Sequence, residues 1–186
     1  MDWSSDGRFV AYAESKGGRE NLWILPVEEK RKSFAFLQAA FDGDVPQFSP
    51  DGRWMAYESN ESGSWELYVR PFIGADGRPA TGQSGKWQVS TSGVASGPSP
   101  EWNPNGKELF FVSSGNRLMA AEVKAGGLTF DVGTVRTLFE LNAKGSVSFP
   151  GVSADGQRFL IGTQAGAQSV PPLTLVTHWD AGLKKK

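Results

Sequence analysis

The chain holds one histidine, His178, and no cysteine. Acid–base or nucleophilic catalysis needs a base held beside a hydroxyl or thiol and oriented by a third group. No such set assembles around His178, which reads as a structural or surface residue. The missing cysteines exclude thiolate nucleophiles, disulfides and Cys-ligated zinc, and leave the redox compartment open. Serines are plentiful, but no Gly-x-Ser-x-Gly elbow occurs. Gly93-Val94-Ala95-Ser96-Gly97 and Gly82-Gln83-Ser84-Gly85 have the wrong spacing. The glycine-rich nucleotide loop, His-Arg-Asp and Asp-Phe-Gly elements of phosphoryl transfer are likewise missing. The sequence therefore predicts a non-enzyme, with no catalytic residue and no cofactor.

Carboxylates raise the question of calcium. Asp6-Gly7, Asp51-Gly52 and Asp155-Gly156, with Asn105-Gly106 as a fourth member, supply at most one carboxylate each. A calcium loop needs several converging oxygen ligands, so these pairs read as turns and no metal is expected. Asp42-Gly43-Asp44 is the densest carboxylate site and reads as a solvated turn between two repeats. Seven tryptophans invite a stacking role for a ligand. Trp3 and Trp102 share one repeat position with Phe48, while Trp23, Trp54 and Trp87 fall inside apolar runs, so packing accounts for most of them.

The Asp-Gly pairs belong to a longer phrase: a bulky apolar residue, three turn-type residues, Gly, then a short strand-like run. Its copies are Trp3-Ser4-Ser5-Asp6-Gly7-Arg8, Phe48-Ser49-Pro50-Asp51-Gly52-Arg53, Trp102-Asn103-Pro104-Asn105-Gly106-Lys107 and Val152-Ser153-Ala154-Asp155-Gly156-Gln157. From Gly7 to Gly52, Gly106 and Gly156 the intervals are 45, 54 and 50 residues, the range of propeller blades rather than helical solenoids. Asp or Asn before Gly is expected to supply the positive φ of a tight turn, opened by Ser or Pro.

Each phrase leads into a continuously apolar run: Phe9–Tyr12, Trp54–Tyr57, Leu109–Val112 and Phe159–Ile161. Short runs without alternation fit strands covered on both faces. Second strands are expected at Asn21–Leu25, Glu66–Arg70, Arg117–Ala121 and Leu173–Val176. Outer strands are expected at Ser33–Leu37, Lys86–Ser90 and Arg136–Phe139. Glu14–Gly18 and Ser59–Gly63 read as hairpin loops. With the short strand entering each phrase, this predicts an all-β chain of about four propeller blades of four antiparallel strands. The blades span 1–43, 44–96, 97–146 and 147–186, the first short of inner strand and the last of its outer strand. Such a set is expected to form part of a six- to eight-bladed ring, its start at Met1 a fragment boundary. The uncovered blade face should be met by further N-terminal blades or by self-association. Glu108 and Arg158 replace the aromatic of earlier repeats and are expected to pair or to line the central channel.

A formal charge of −1, from 19 basic and 20 acidic residues, creates no field for collecting nucleic acid or anionic lipid. The longest apolar runs fall far short of the roughly 18 residues of a membrane span, so direct insertion is not expected. Lys184-Lys185-Lys186 reads as a solvated tail.

The phrase Phe48-Ser49-Pro50-Asp51-Gly52-Arg53-Trp54-Met55-Ala56-Tyr57 resembles the repeat of TolB-like, WD-repeat-like bacterial β-propellers. Gly85-Lys86-Trp87-Gln88-Val89-Ser90 and the closing stretch from Leu173 through His178-Trp179-Asp180-Ala181-Gly182-Leu183 to Lys185 resemble the C-terminal propeller of membrane-anchored bacterial serine/threonine kinases. The resemblance implies a noncatalytic, extracytoplasmic or periplasmic module for protein interaction or ligand sensing, with a protein or peptide partner. Two other propellers resemble the repeat: the gating part of a prolyl-oligopeptidase-like hydrolase, and a TolB-like envelope component. The loops Ile73–Gly85 and Ser92–Pro98 are long and free of core-forming residues, hence the first candidates for binding.

Overall fold

The computed structural model describes residues 1–28, 32–73, 79, 85–95, 99–126, 129–141 and 147–163. Among them there is no helix, and fourteen strands form four sheets. The first sheet runs in the order β1 (Asp2–Trp3), β2 (Phe9–Lys16), β3 (Arg19–Pro26), β4 (Phe34–Leu37). The second runs β5 (Gly43–Phe48), β6 (Trp54–Ser59), β7 (Glu66–Pro71), β8 (Trp87–Gln88). The third runs β9 (Glu101–Trp102), β10 (Glu108–Val112), β11 (Arg117–Gly126), β12 (Thr129–Glu140), and the fourth pairs β13 (Val147–Val152) with β14 (Phe159–Thr163). Every pairing is antiparallel and sequence order equals spatial order. This is the up-and-down blade of a propeller, repeated. The expected strand Leu173–Val176 lies outside the described residues, as do His178, Trp179 and the lysine tail.

Consecutive sheets stack face to face, and each joint is a separate apolar core. Ala11, Leu22, Ile24 and Phe36 of the first sheet meet Phe48, Met55, Tyr57, Tyr68 and Phe72 of the second. The other face of the second sheet, with Trp54, Ala56, Leu67 and Val69, meets Trp102, Leu109, Phe111 and Phe130 of the third. Phe110, Val112 and Leu118 continue to Phe149, Phe159 and Ile161 of the fourth. Edge-to-face rings lock the joints: Phe9 on Phe72 at 5.2 Å, and Phe110 on Phe159 at 4.9 Å. All of β6 and β7 is buried, which is why their sequences show no alternation. Each fully buried large side chain contributes roughly 1.5–3 kcal/mol.

The phrase is a turn held by one hydroxyl. Ser49 Oγ donates to Asp51 Oδ1 at 2.6 Å and accepts the Trp54 amide at 2.9 Å, while Asp51 Oδ1 also accepts the Arg53 amide at 3.0 Å. Ser4, Asp6 and Phe9 repeat this relay, as do Ser153, Asp155 and Arg158. In the third copy Asn103 and Asn105 substitute, with Asn105 Oδ1 accepting the Lys107 amide at 2.9 Å. The positive φ falls on the glycine alone, +72° at Gly7, +68° at Gly52, +71° at Gly106 and +70° at Gly156. This corrects the expectation that the preceding Asp or Asn supplies it. The aspartate instead binds the backbone through its side chain.

Two further expectations are corrected, and one strand is present but longer than expected. Glu14–Lys16 is strand, not loop: only Gly17 and Gly18, at φ +64° and +78°, turn the hairpin, as a primed two-residue turn requires. The outer strand expected at Arg136–Phe139 is part of the twelve-residue β12, paired with β11 as far as Gly126. Its mostly exposed residues are held by the backbone ladder rather than by burial, so apolar pattern could not reveal it. Trp3 is 59% exposed, although Phe48 and Trp102 at the same repeat position are each 6% exposed. Phe48 and Trp102 pack against a neighbouring described sheet, whereas no sheet among the described residues covers Trp3.

Ser49→Ala is expected to cost about 1–3 kcal/mol, because the buried Trp54 amide and Asp51 lose one shared partner. Urea unfolding checks this; equal stability of variant and wild type would show that the relay is dispensable.

Candidate functional site

The innermost strands of three blades, β1, β5 and β9, lie side by side around the propeller axis and are tied to one another. Asp2 Oδ2 accepts the Phe48 amide at 2.7 Å, and Trp102 Nε1 donates to the Gln47 carbonyl at 3.3 Å. Between them opens an axial pocket of about 280 Å³ lined by Asp2, Trp3, Gln47, Glu101 and Trp102. Its two carboxyls are half-buried and close enough to feel each other. Burial, then the charge of Asp2, pushes Glu101 up to about 7. Burial also raises Asp2, against the opposing pull of the Phe48 amide. Near neutral pH Glu101 is therefore only partly ionised, and a cationic group entering the pocket would displace its proton.

Beside this pocket, on the rim bearing the phrases, lies a larger groove of about 970 Å³ between the second and third blades. Trp54, Trp102 and Val123 form its floor, and Asp51, Lys107, Glu122 and Lys124 its margins. An apolar floor with sparse charges at the margin suits an amphipathic ligand, and the volume suits peptide side chains. Glu108 also borders this groove. Its carboxylate is held between Asn103 Nδ2 at 3.0 Å and Arg136 Nη2 at 2.8 Å, on the face of its own sheet. The expectation that Glu108 pairs with Arg158 or lines the channel is thereby corrected.

The phrase residues Asp6, Gly7, Asp51, Gly52, Asn105, Gly106, Asp155 and Gly156 are distributed one pair per blade. Asp51 of the second blade and Asn105 and Gly106 of the third meet at the groove. Their carboxylates are occupied by the turn itself: the Arg8 amide, the Ser4 hydroxyl and the Arg8 side chain bring Asp6 down to about 2. Among the described residues, no group of three or more His, Asp or Glu is placed to hold a metal ion.

Asp42-Gly43-Asp44 is not a solvated turn. Asp42 Oδ1 accepts the Glu20 amide of the first blade at 3.0 Å, and Oδ2 accepts Asn60 Nδ2 of the second at 2.8 Å. The Asp42 amide returns a bond to Asn60 Oδ1 at 2.9 Å, making a two-blade staple on the rim opposite the phrases. Gly43, expected to close the first blade, instead opens β5.

Of the two candidate binding loops, residues 74–78, 80–84 and 96–98 lie outside the described residues. Val94, expected in a loop free of core residues, is buried in the core between the second and third blades. Its amide bonds the Trp65 carbonyl at 3.0 Å, and that of Ala95 bonds Val112 at 2.8 Å. Glu66, buried beneath this segment, accepts from Ser90 Oγ and from the Gly93 amide. Sequence reading missed Glu58, Glu66 and Glu101. For the first two the available signal was an acid at the edge of a run buried on both faces.

The fold is that of a β-propeller. No protein-family model and no curated protein matches the chain, but solved structures do. TolB from Acinetobacter baumannii superposes with a TM-score of 0.61 at 18% identity, covering 90% of this chain and 38% of that one. A protein assigned as TolB from Agrobacterium tumefaciens gives 0.54 at 20% identity, over 75% of this chain and 48% of that one. A protein assigned as a 6-phosphogluconolactonase from Bacteroides uniformis gives 0.52 at 13% identity, over 86% and 45%. At these identities the likeness is one of fold, and the chain spans less than half of each.

Glu58, fully enclosed in β6, is pushed up to about 8 by burial and then by the charge of Asp44. A carboxyl with a raised folded-state pKa binds its proton more tightly than in the unfolded chain. Stability therefore falls as pH rises from about 4.5 toward 8, by up to about 1.4 kcal/mol per pH unit per group. Glu58→Gln should flatten this slope and stabilise the protein at pH 8. Unfolding curves at pH 5 and pH 8 check it, and an unchanged slope in the variant would contradict it.

Proposed function

We propose that the chain is a noncatalytic propeller module that binds a protein or peptide partner on its phrase-bearing rim, across the groove and the axial pocket. The groove carries this reading: Trp54 and Trp102 offer an apolar floor, flanked by Lys107, Lys124 and Glu122, beside a pocket whose carboxyls suit a basic group. A partner segment with an apolar anchor and a neighbouring Lys or Arg fits this surface. Propeller rims serve such binding across unrelated functions.

Within that reading, the module is the extracytoplasmic sensing part of a membrane-anchored bacterial serine/threonine kinase. The stretch from Gly85 to Ser90 and the closing Trp179-Asp180-Ala181-Gly182-Leu183-Lys184 support this by their resemblance to such propellers. A periplasmic envelope component is the second reading, favoured by the superposition on two TolB structures. The coding sequence upstream of Met1 separates them, since one requires a kinase there and the other a secretion signal.

Binding is tested by capture from bacterial envelope extract. The wild-type chain should retain a specific protein, and the double variant Lys107→Glu, Lys124→Glu should retain at least tenfold less while keeping its unfolding midpoint. Equal capture by both forms would remove the groove from the proposal.

A further inference from the structure

At the joint between the first and second sheets, two buried polar atoms stand without hydrogen-bond partners, Tyr57 Oη and Glu61 Oε1. Both residues line one cavity of about 230 Å³. Tyr57 is fully buried, and the Glu61 side chain is 9% exposed. Leu37 and Phe41 line the cavity from β4 and the residues after it, Arg70 from β7 and Lys86 from just before β8. Buried polar atoms in native interiors are nearly always paired, because an unpaired one loses the hydrogen bonds it made in water.

The frame of this cavity is fixed by the staple on the rim opposite the phrases. Ser59 Oγ donates to the Asp42 carbonyl at 2.7 Å and accepts the Glu61 amide at 3.3 Å. Asn60 and Asp42 bond each other twice more. Phe41 precedes Asp42 and Glu61 follows Asn60, so the staple pins both. The cavity shares no residue with the groove or with the axial pocket.

Its charges are already engaged. Lys86 Nζ donates to Glu61 Oε2 and lies over the Tyr68 ring, 5.3 Å from its centroid. The Arg70 guanidinium lies over the Phe36 ring at 5.5 Å. Burial, then the charge of Glu61, pushes the Tyr57 hydroxyl well above the ordinary tyrosine range, so it keeps its proton. Arg70 pulls the other way, close by but outside hydrogen-bond geometry. What the cavity offers a guest is therefore hydrogen bonding without a free charge: a carboxylate oxygen that only accepts, and a hydroxyl that donates and accepts.

We propose that this cavity binds a small neutral polyhydroxylated molecule, a monosaccharide or cyclic polyol. One hydroxyl donates to Glu61 Oε1, another bonds Tyr57 Oη, and the C–H face lies against Phe41 and Leu37. The volume is below the roughly 300 Å³ at which drug-sized sites begin, and several times the about 30 Å³ that one water occupies. A charged guest would need a counter-charge that Lys86 and Glu61 already give each other. Water satisfies the two oxygens but gains nothing from the apolar wall.

Calorimetric titration of the full chain with D-glucose, D-galactose and myo-inositol tests this, with glycine and inorganic phosphate as charged counterparts. At least one neutral probe should bind saturably in the millimolar range or below, at least tenfold more tightly than glycine or phosphate. Tyr57→Phe, which keeps the ring on Phe36 and Tyr68, and Glu61→Gln should each weaken that binding about tenfold. Circular dichroism should show the sheet content of both variants unchanged. Lys107→Glu, in the groove, should leave the binding as it is. No saturable heat with any of the three neutral probes would leave water as the occupant and overturn the proposal. Tighter binding of glycine or phosphate would overturn the neutral class, and binding indifferent to both cavity variants would overturn the site.

Discussion

The contact on which everything else depends is the apolar stacking of one sheet on the next. A single four-stranded sheet of this size has two faces and no core of its own, so it is stable only when covered. The second sheet shows the covered condition, with Tyr57, Met55 and Phe72 turned one way and Trp54, Ala56 and Val69 the other. The phrase turns, the Asp42 staple and the inner-strand bonds of Asp2 and Trp102 set the spacing and angle at which these faces meet.

That constraint explains which parts were readable in the sequence. The runs Trp54–Tyr57 and Leu109–Val112 are apolar at every position because both faces are buried, and the phrase recurs because each blade needs the same turn. Where structure rests on backbone pairing alone, the sequence was silent. Glu14–Lys16 and most of β12 are polar and exposed, and their strand character comes from the hairpin partner. Val94 misled for the opposite reason: its neighbours Gly93 and Ala95 look like loop, yet it plugs the core between two blades.

The candidate site was less legible than the fold. Asp51, Asn105 and Gly106 were found as turn residues and do border the groove, but what the groove offers comes from Trp54, Trp102, Lys107 and Lys124. These converge only when two blades stack, across roughly half a repeat of sequence each. Glu101 gains its raised pKa from burial and from Asp2, a neighbour a hundred residues away in the chain. No local pattern announces such a pair.

Native-state hydrogen exchange tests the dependence on stacking most directly. If the sheets are stable only through one another, the amides of β6 and β7, in the sheet covered on both faces, exchange slowest of all. They also share a single rate set by unfolding of the whole chain. Blades that exchange independently, with β6 and β7 no better protected than the edge strands β4 and β8, would contradict it.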